Sequence, residues 1–164
     1  MQGNIVQINV SNGGMPKLPV PEAEVHRLGL GNDVHAHPHI HGGPNKAVLI
    51  ITEEGIDELK SQGFPVYPGA MGENLTVRGL DRKMMRIGQV YQAGAAILEI
   101  TKMRAPCTQL DVYGPGIQEA VYDSQVKAGD PQSPRWGLAG FYASVRQQGY
   151  IRPHDIIRLL ETHV

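Results

Sequence analysis

The sequence predicts a mainly β (α+β) fold: a twisted β-barrel of about seven or eight strands with a few peripheral helices, in one domain spanning residues 1–164. Three observations carry that expectation. The 20 glycines and 12 prolines are spread along the chain rather than gathered in a linker, so they punctuate many short elements. Between them, strand-length stretches alternate apolar and polar residues or run wholly apolar. No fixed-period repeat and no low-complexity segment is present.

Each element has its own local reason. "NIVQINVS" sets Val6, Ile8 and Val10 against Ile5, Gln7 and Asn9, which reads as an opening strand with one apolar face. "GGMPKLPV" breaks regularity with two glycines and two prolines and places Lys17 in a loop. A second short strand is expected through "EAEVHRLGL". "KAVLII" reads as a buried strand, followed by the helix "EEGIDELKSQG". There Thr52 suits the N-cap, acids crowd the first turn and Gly63 suits the residue after the C-cap. "GFPVYPGAMGENLTV" is turn-rich, and "RGLDRKMMRIGQVY" is an irregular connection into another strand. "AAILEITKMR" is a strand running directly into "APCTQL". "GIQEAVYDSQVKAG" spaces Ile117, Val121 and Val126 as a helix would and stops at Gly129. "LAGFYASVRQ" and "DIIRLLETHV", joined through "QGYIRPHD", read as a terminal hairpin.

Composition excludes several function classes. The net charge of −1, from 15 basic and 16 acidic residues without a block of either sign, lacks the basic footprint of a nucleic-acid or anionic-lipid binder. The longest apolar run, residues 47–51, is far too short to span a bilayer. The segment "MQGNIVQINV" lacks the basic start and apolar core of a signal peptide. One cysteine, Cys107, rules out an internal disulfide, and a cytoplasmic location is expected.

The chemistry-bearing residues are few. Cys107 follows a proline at an expected strand end, with Arg104 three residues and Lys102 five residues before it. Nearby cations favour a thiolate, the form that attacks or binds metal, while a lone cysteine can equally be a small core residue. In "VHAHPHIHGGP", His35, His37, His39 and His41 stand at every second position. In an extended chain such residues share a face about 6.6 Å apart, so neighbouring pairs could share a metal. No H-E-x-x-H or C-x-x-C pattern supplies further ligands, and a solvated imidazole-rich loop is the alternative. His41, Gly42 and Gly43, beside Asn45 and Lys46, could bring backbone close to an anionic or hydrogen-bonding group, or form an ordinary turn. Glu73 and Asn74 put an acid and an amide together, with Glu73 able to pair with Lys17 or Arg104. No two-acid glycosidase arrangement and no G-x-S-x-G elbow appears.

In order along the chain, "GGMPKLPV", "GLGND", "HGGPNKAV", "PGAMGENL", "LEITKMRAPC" and "GFYASV" resemble the MOSC domain, the family named for the C-terminal domain of molybdenum-cofactor sulfurases. The resemblance covers essentially the whole chain, and the G-E-N-L and R-x-P-C elements are its specific parts. It implies a MOSC-type β-barrel and a pocket for the molybdenum–pterin cofactor, with no PLP-binding sulfurase domain and no ferredoxin domain in this sequence. It implies that Cys107 is the catalytic residue, carrying sulfur as a persulfide or ligating molybdenum. It also implies that Lys17, His41, Gly42, Gly43, Glu73, Asn74 and Arg104 hold the cofactor and tune the cysteine. No role falls to Asp33 in the loosely fitting "GLGND", and His35, His37 and His39 are expected to be a solvent-facing loop. A cysteine desulfurase as sulfur donor or an electron-transfer partner follows, the latter for reduction of N-hydroxylated compounds, a reaction known among MOSC proteins. From another class, the chain is a non-catalytic histidine-based metal-binding or interaction module with Cys107 in the core.

Overall fold

A computed structural model describes residues 1–35 and 42–162. Eleven strands follow in chain order among these residues: β1 (Gln2–Val10), β2 (Leu18–Val20), β3 (Ala23–His26), β4 (Gly29–Leu30), β5 (Val48–Thr52), β6 (Leu75–Arg78), β7 (Gln89–Ala93), β8 (Ala96–Met103), β9 (Phe141–Gln147), β10 (Gly149–Ile151) and β11 (Ile156–Thr162). The helices are α1 (Glu53–Ser61), α2 (Ile117–Val121) and α3 (Ser124–Lys127), with short 3-10 turns at Pro44–Lys46, Arg82–Met84 and Thr108–Tyr113.

Seven strands close into a barrel in the order β11-β7-β8-β9-β5-β6-β1, and β1 pairs back onto β11 to complete the ring. β2 adds to β1 outside the ring, and β10, β3 and β4 form a separate small sheet. The predicted fold class is therefore the observed one. Of the ring's pairings, β5 with β6 is parallel, and α1 makes the crossover between them. Thr52 caps α1 as expected, its Oγ1 accepting from the Gly55 N–H. Beyond the C-cap Gln62, Gly63 takes a φ of 97° and Phe64 N–H returns to the Leu59 carbonyl, closing the helix end.

β5 is buried at all five positions because its two faces serve two cores. Val48 and Ile50 point into the barrel with Ile5, Ile8, Leu75, Tyr91, Leu98, Phe141 and Ile157. Ile51 packs outward with Ile56 and Leu59 of α1, Met71, Leu110 and Ile117. A strand covered on both sides reads as an unbroken apolar run, which is how "KAVLII" looks.

The structure departs from expectation in several places, among them Leu18–Val20, a strand where a loop was expected, and residues 23–30, two strands where one was expected. In β1 the apolar residues fully enclosed are Ile5 and Ile8, not the set Val6, Ile8 and Val10. A register shift against β6 between Ile5 and Gln7 inserts one residue and changes which face turns inward. The expected terminal hairpin does not form: β9 lies between β8 and β5, and β11 between β7 and β1. Alternation specifies that both segments are strands, but the partners are chosen by barrel closure. The helix expected over 117–129 is two helices. The chain leaves helical geometry at Tyr122 and Asp123, and the Asp123 carboxylate caps α3 by accepting from the Val126 N–H. Among the described residues, no helix is long and apolar enough to cross a membrane.

Barrel closure depends on Gly3, which pairs with Ile157 while a Cβ there would stand 2.0 Å from the Arg78 carbonyl oxygen of β6. Gly3→Ala is expected to cost at least about 2 kcal/mol, since backbone on a neighbouring strand cannot give way locally. Urea unfolding of the two proteins checks this.

Candidate active site

Where β8 ends, the chain passes through Arg104 and Pro106 to Cys107, which opens the 3-10 turn Thr108–Tyr113. The Arg104 N–H is held by the Gly140 carbonyl, and the Cys107 carbonyl accepts from the Leu110 N–H. These bonds fix the backbone on both sides of the half-buried thiol. Cys107 opens onto a cleft. Lys17, His35, Lys46, Asn74, Arg104 and Tyr142 share its wall, together with the backbone of Gly14 and Gly72.

A buried polar network builds the part of the wall that carries Lys17 and Asn74. The Lys17 ammonium donates to both carboxylate oxygens of Asp33, at 2.6 and 2.7 Å, with side chains 7% and 0% exposed. Asp33 also accepts from the Ser11 N–H and from the Asn74 amide at 2.8 Å. Asn74 Oδ1 accepts from the Leu49 N–H, and Asn74 backbone bonds run to Leu49 and Asn9, so this residue ties β5 to β1. Glu73 is fully buried. Its Oε1 accepts from the Gly69 N–H at 2.7 Å and from the Thr76 hydroxyl at 3.0 Å, while Oε2 has no hydrogen-bond partner. Burial pushes the Glu73 carboxyl above its ordinary range, opposed by those hydrogen bonds and by the charge of Arg104.

The glycines of "PGAMGEN" have a steric reason. Gly69, at φ 92°, donates to Glu73 and accepts from the Lys17 N–H, and a Cβ on it would stand 2.3 Å from the Lys17 carbonyl oxygen. A Cβ on Gly72 would press on Met15 at 3.1 Å. The turn at 68–72 thus grips the loop bearing Met15 and Lys17 directly. Arg104 donates to the Ala139 carbonyl and faces the Met15 sulfur at 3.9 Å, and its Nε has no partner.

The structure brings Lys17, Asn74, Arg104 and Cys107 to one cleft and sets Glu73 behind its floor. His41 lies outside the described residues, as do His37 and His39. Gly43 takes a φ of 92° and starts the 3-10 turn that delivers Lys46, while neither Gly42 nor Gly43 is among the described lining residues.

Sequence reasoning missed or misplaced three residues at or beside the cleft. His35, expected in a solvent-facing loop, is half-buried on the cleft wall, its Nε2 enclosed without a hydrogen-bond partner. Burial, and then the Lys17 charge, lower its pKa and favour the neutral ring. Asp33, to which no role fell, neutralises Lys17. Lys46 stands over the face of buried Tyr142, 5.5 Å from the ring centroid. Only the glycine-lysine neighbourhood of "HGGPNK" signalled it in the sequence. Among the described residues, no group of three or more His, Cys, Asp or Glu side chains is arranged to hold a metal ion.

A family model for the MOSC domain matches residues 37–158, most of the chain and both the H-G-G and R-x-P-C segments. The chain belongs to the MOSC domain family. Within it, the chain is 32% identical over 151 residues to the uncharacterized protein YflK of Bacillus subtilis, a match covering 90% of this chain and 63% of YflK. It is 30% identical over 90 residues to the protein YiiM of Escherichia coli, covering 52% of this chain and 40% of YiiM. The MOSC chain thus spans less than two thirds of these relatives' length. The crystal structure of YiiM from Geobacillus stearothermophilus superposes with a TM-score of 0.72 at 27% identity, over 97% of this chain and 75% of that one. The YuaD protein of Bacillus subtilis shares the fold, with a TM-score of 0.70 at 17% identity over 96% and 94% of the two chains. MOSC domains are associated with molybdenum-cofactor binding. The residues present fit that group: a soft thiol for the metal, cations for a phosphate, and amide and backbone groups for pterin edges.

Two substitutions probe the network. Asp33→Asn leaves the buried Lys17 without its counter-charge and is expected to cost about 3–5 kcal/mol in urea unfolding. Glu73→Gln keeps an acceptor for Gly69 and Thr76 and removes the ionisation. Because the folded pKa of Glu73 is raised, its contribution is fully present below the ordinary value of 4.5 and is lost as pH rises through the folded value. The stability difference should therefore move in favour of Glu73→Gln as pH rises from about 4 to 8, in paired thermal melts.

Proposed function

We propose that the cleft binds the molybdenum–pterin cofactor and that Cys107 is the thiolate ligand to its metal. The observation that supports this reading is the convergence of a half-buried thiol with Lys17, Lys46 and Arg104 on one cleft whose described wall carries no carboxylate. Thiolate sulfur is a soft ligand suited to such a metal, and guanidinium and ammonium groups suit a phosphate. When bound, the cofactor supplies a redox-active metal centre. Arg104 and the lysines hold its anionic end, Asn74 and the backbone at Gly14 and Gly72 border its ring, and His35 presents a neutral imidazole. Glu73 keeps the floor in place without touching the ligand. In this reading the chain serves a molybdenum-dependent reaction, such as reduction of N-hydroxylated compounds, with electrons from a second protein.

A second reading is favoured by the open side of Cys107, at a strand exit and only half-buried. Here Cys107 carries sulfur received from a cysteine desulfurase. Its thiolate attacks the outer sulfur of the donor's persulfide, the donor S–S bond breaks, and the donor leaves as a thiolate, with no net oxidation.

Purified protein is expected to contain molybdenum with pterin fluorescence, and Cys107→Ala is expected to lose at least about tenfold of the molybdenum. Mass spectrometry after incubation with a cysteine desulfurase and cysteine tests the carrier reading through one added sulfur on Cys107. A clean thiol and no molybdenum would overturn both. Zinc lost in His35→Ala but kept in Cys107→Ala would place the protein in the histidine-based metal-binding class.

A further inference from the structure

The six methionines of the chain are placed differently. Met71 and Met85 are fully enclosed and Met103 is nearly so, while Met1 and Met84 lie on the surface. Met15 is half-buried and is the one methionine among the described lining residues of the Cys107 cleft. Its loop is tied on both sides. The Ser11 hydroxyl donates to the Gly14 carbonyl before it, and the Lys17 N–H donates to the Gly69 carbonyl after it. Gly72 lies against the side chain, where a Cβ would stand 3.1 Å from Met15 Cγ and 3.5 Å from its sulfur.

The sulfur so placed meets Arg104, whose Nη2 donates to it at 3.9 Å. A thioether is a weak acceptor, so this contact holds the guanidinium loosely. The Nη1 bond to the Ala139 carbonyl is long, at 3.3 Å, and Nε is enclosed without a partner. Oxidation would reverse that weakness. A sulfoxide is a polar group with a strong acceptor oxygen, and its bond to a guanidinium is charge-assisted.

We propose that Met15 is a modification site at which a peroxide oxidant converts the thioether to its sulfoxide, whose oxygen captures Arg104 and withdraws it from a ligand in the cleft. A sulfur lone pair attacks one oxygen of hydrogen peroxide, the O–O bond breaks and an S–O bond forms. The departing hydroxide takes the proton of the new S–OH group and leaves as water, so sulfur is oxidised and peroxide reduced. A methionine sulfoxide reductase reverses the change with electrons from thiols. The modification and the capture rest on the contacts of Met15; only the effect on a bound cofactor rests on the reading of Arg104 as one of its holders.

The test treats the purified full chain with hydrogen peroxide and follows each methionine by peptide mass spectrometry. Met15 is expected to oxidise at least about tenfold faster than the enclosed Met71 and Met85. The Arg104 Nε–H signal in a proton–nitrogen correlation spectrum, assigned by its loss in Arg104→Lys, should move as Met15 oxidises and return with the reductase. Met15→Leu keeps the volume and Cys107 but has no thioether at this place, so its Arg104 signal should stay still under peroxide. Met15→Gln carries an amide oxygen and should give the moved signal without peroxide. Oxidised wild type should retain at least about tenfold less molybdenum than Met15→Leu treated alike. The inference is overturned if Met15 survives treatment that fully oxidises Met84, if the Arg104 signal ignores Met15 oxidation, if Met15→Leu shows the same movement, or if both proteins retain molybdenum equally. Cys107-dependent molybdenum beside an inert Met15 would remove this inference alone. An Arg104 signal that follows Met15 in protein without molybdenum would remove the cofactor reading and leave the modification site standing.

Discussion

The site depends on one interaction withdrawn from water, the pairing of Lys17 with Asp33. Taking two charges out of water is costly, and the cost is offset only where the remaining polar atoms are satisfied. Here the Ser11 N–H and the Asn74 amide complete the Asp33 carboxylate. Those two bonds reach from the loop after β1 to the start of β6. Lys17 is in turn bonded through its backbone to Gly69, and Gly69 to Glu73. This part of the cleft wall is thus a closed circuit of polar contacts, built from three separate stretches of chain.

That circuit explains why chemically distinctive residues cluster without all facing a ligand. Asn74 uses its amide to join β5, β1 and Asp33, and Glu73 pins the turn that grips the Met15–Lys17 loop. Cys107, Arg104, Lys46 and His35 line the cleft beside Lys17 and Asn74, which also carry that circuit. A motif can therefore mark a site through its scaffold as strongly as through its contacts.

Local signals carried much of the fold. Thr52, Gly63 and the apolar run of β5 each had a mechanism readable in the sequence, and each stands where that mechanism requires. What was not legible was long-range. The bulge in β1 and the partners of β9 and β11 are decided by closure of the ring, which no local alternation encodes. Cys107 and Arg104 were legible because R-x-P-C places them side by side. Asp33 and His35 were not, since their importance comes from burial against Lys17 and from a turn of chain that composition does not describe. Lys46 was noticed only as a neighbour of glycines.

The closing pair of strands has a consequence for how the protein comes into being. Asn4 of β1 donates to the His154 carbonyl just before β11, across 150 residues of sequence. During synthesis the part of β1 at residues 2–4 lacks its β11 partner until residues 156–158 have been made. A barrel stitched in this way is open to strand-to-strand association between chains whose β11 has not yet been made.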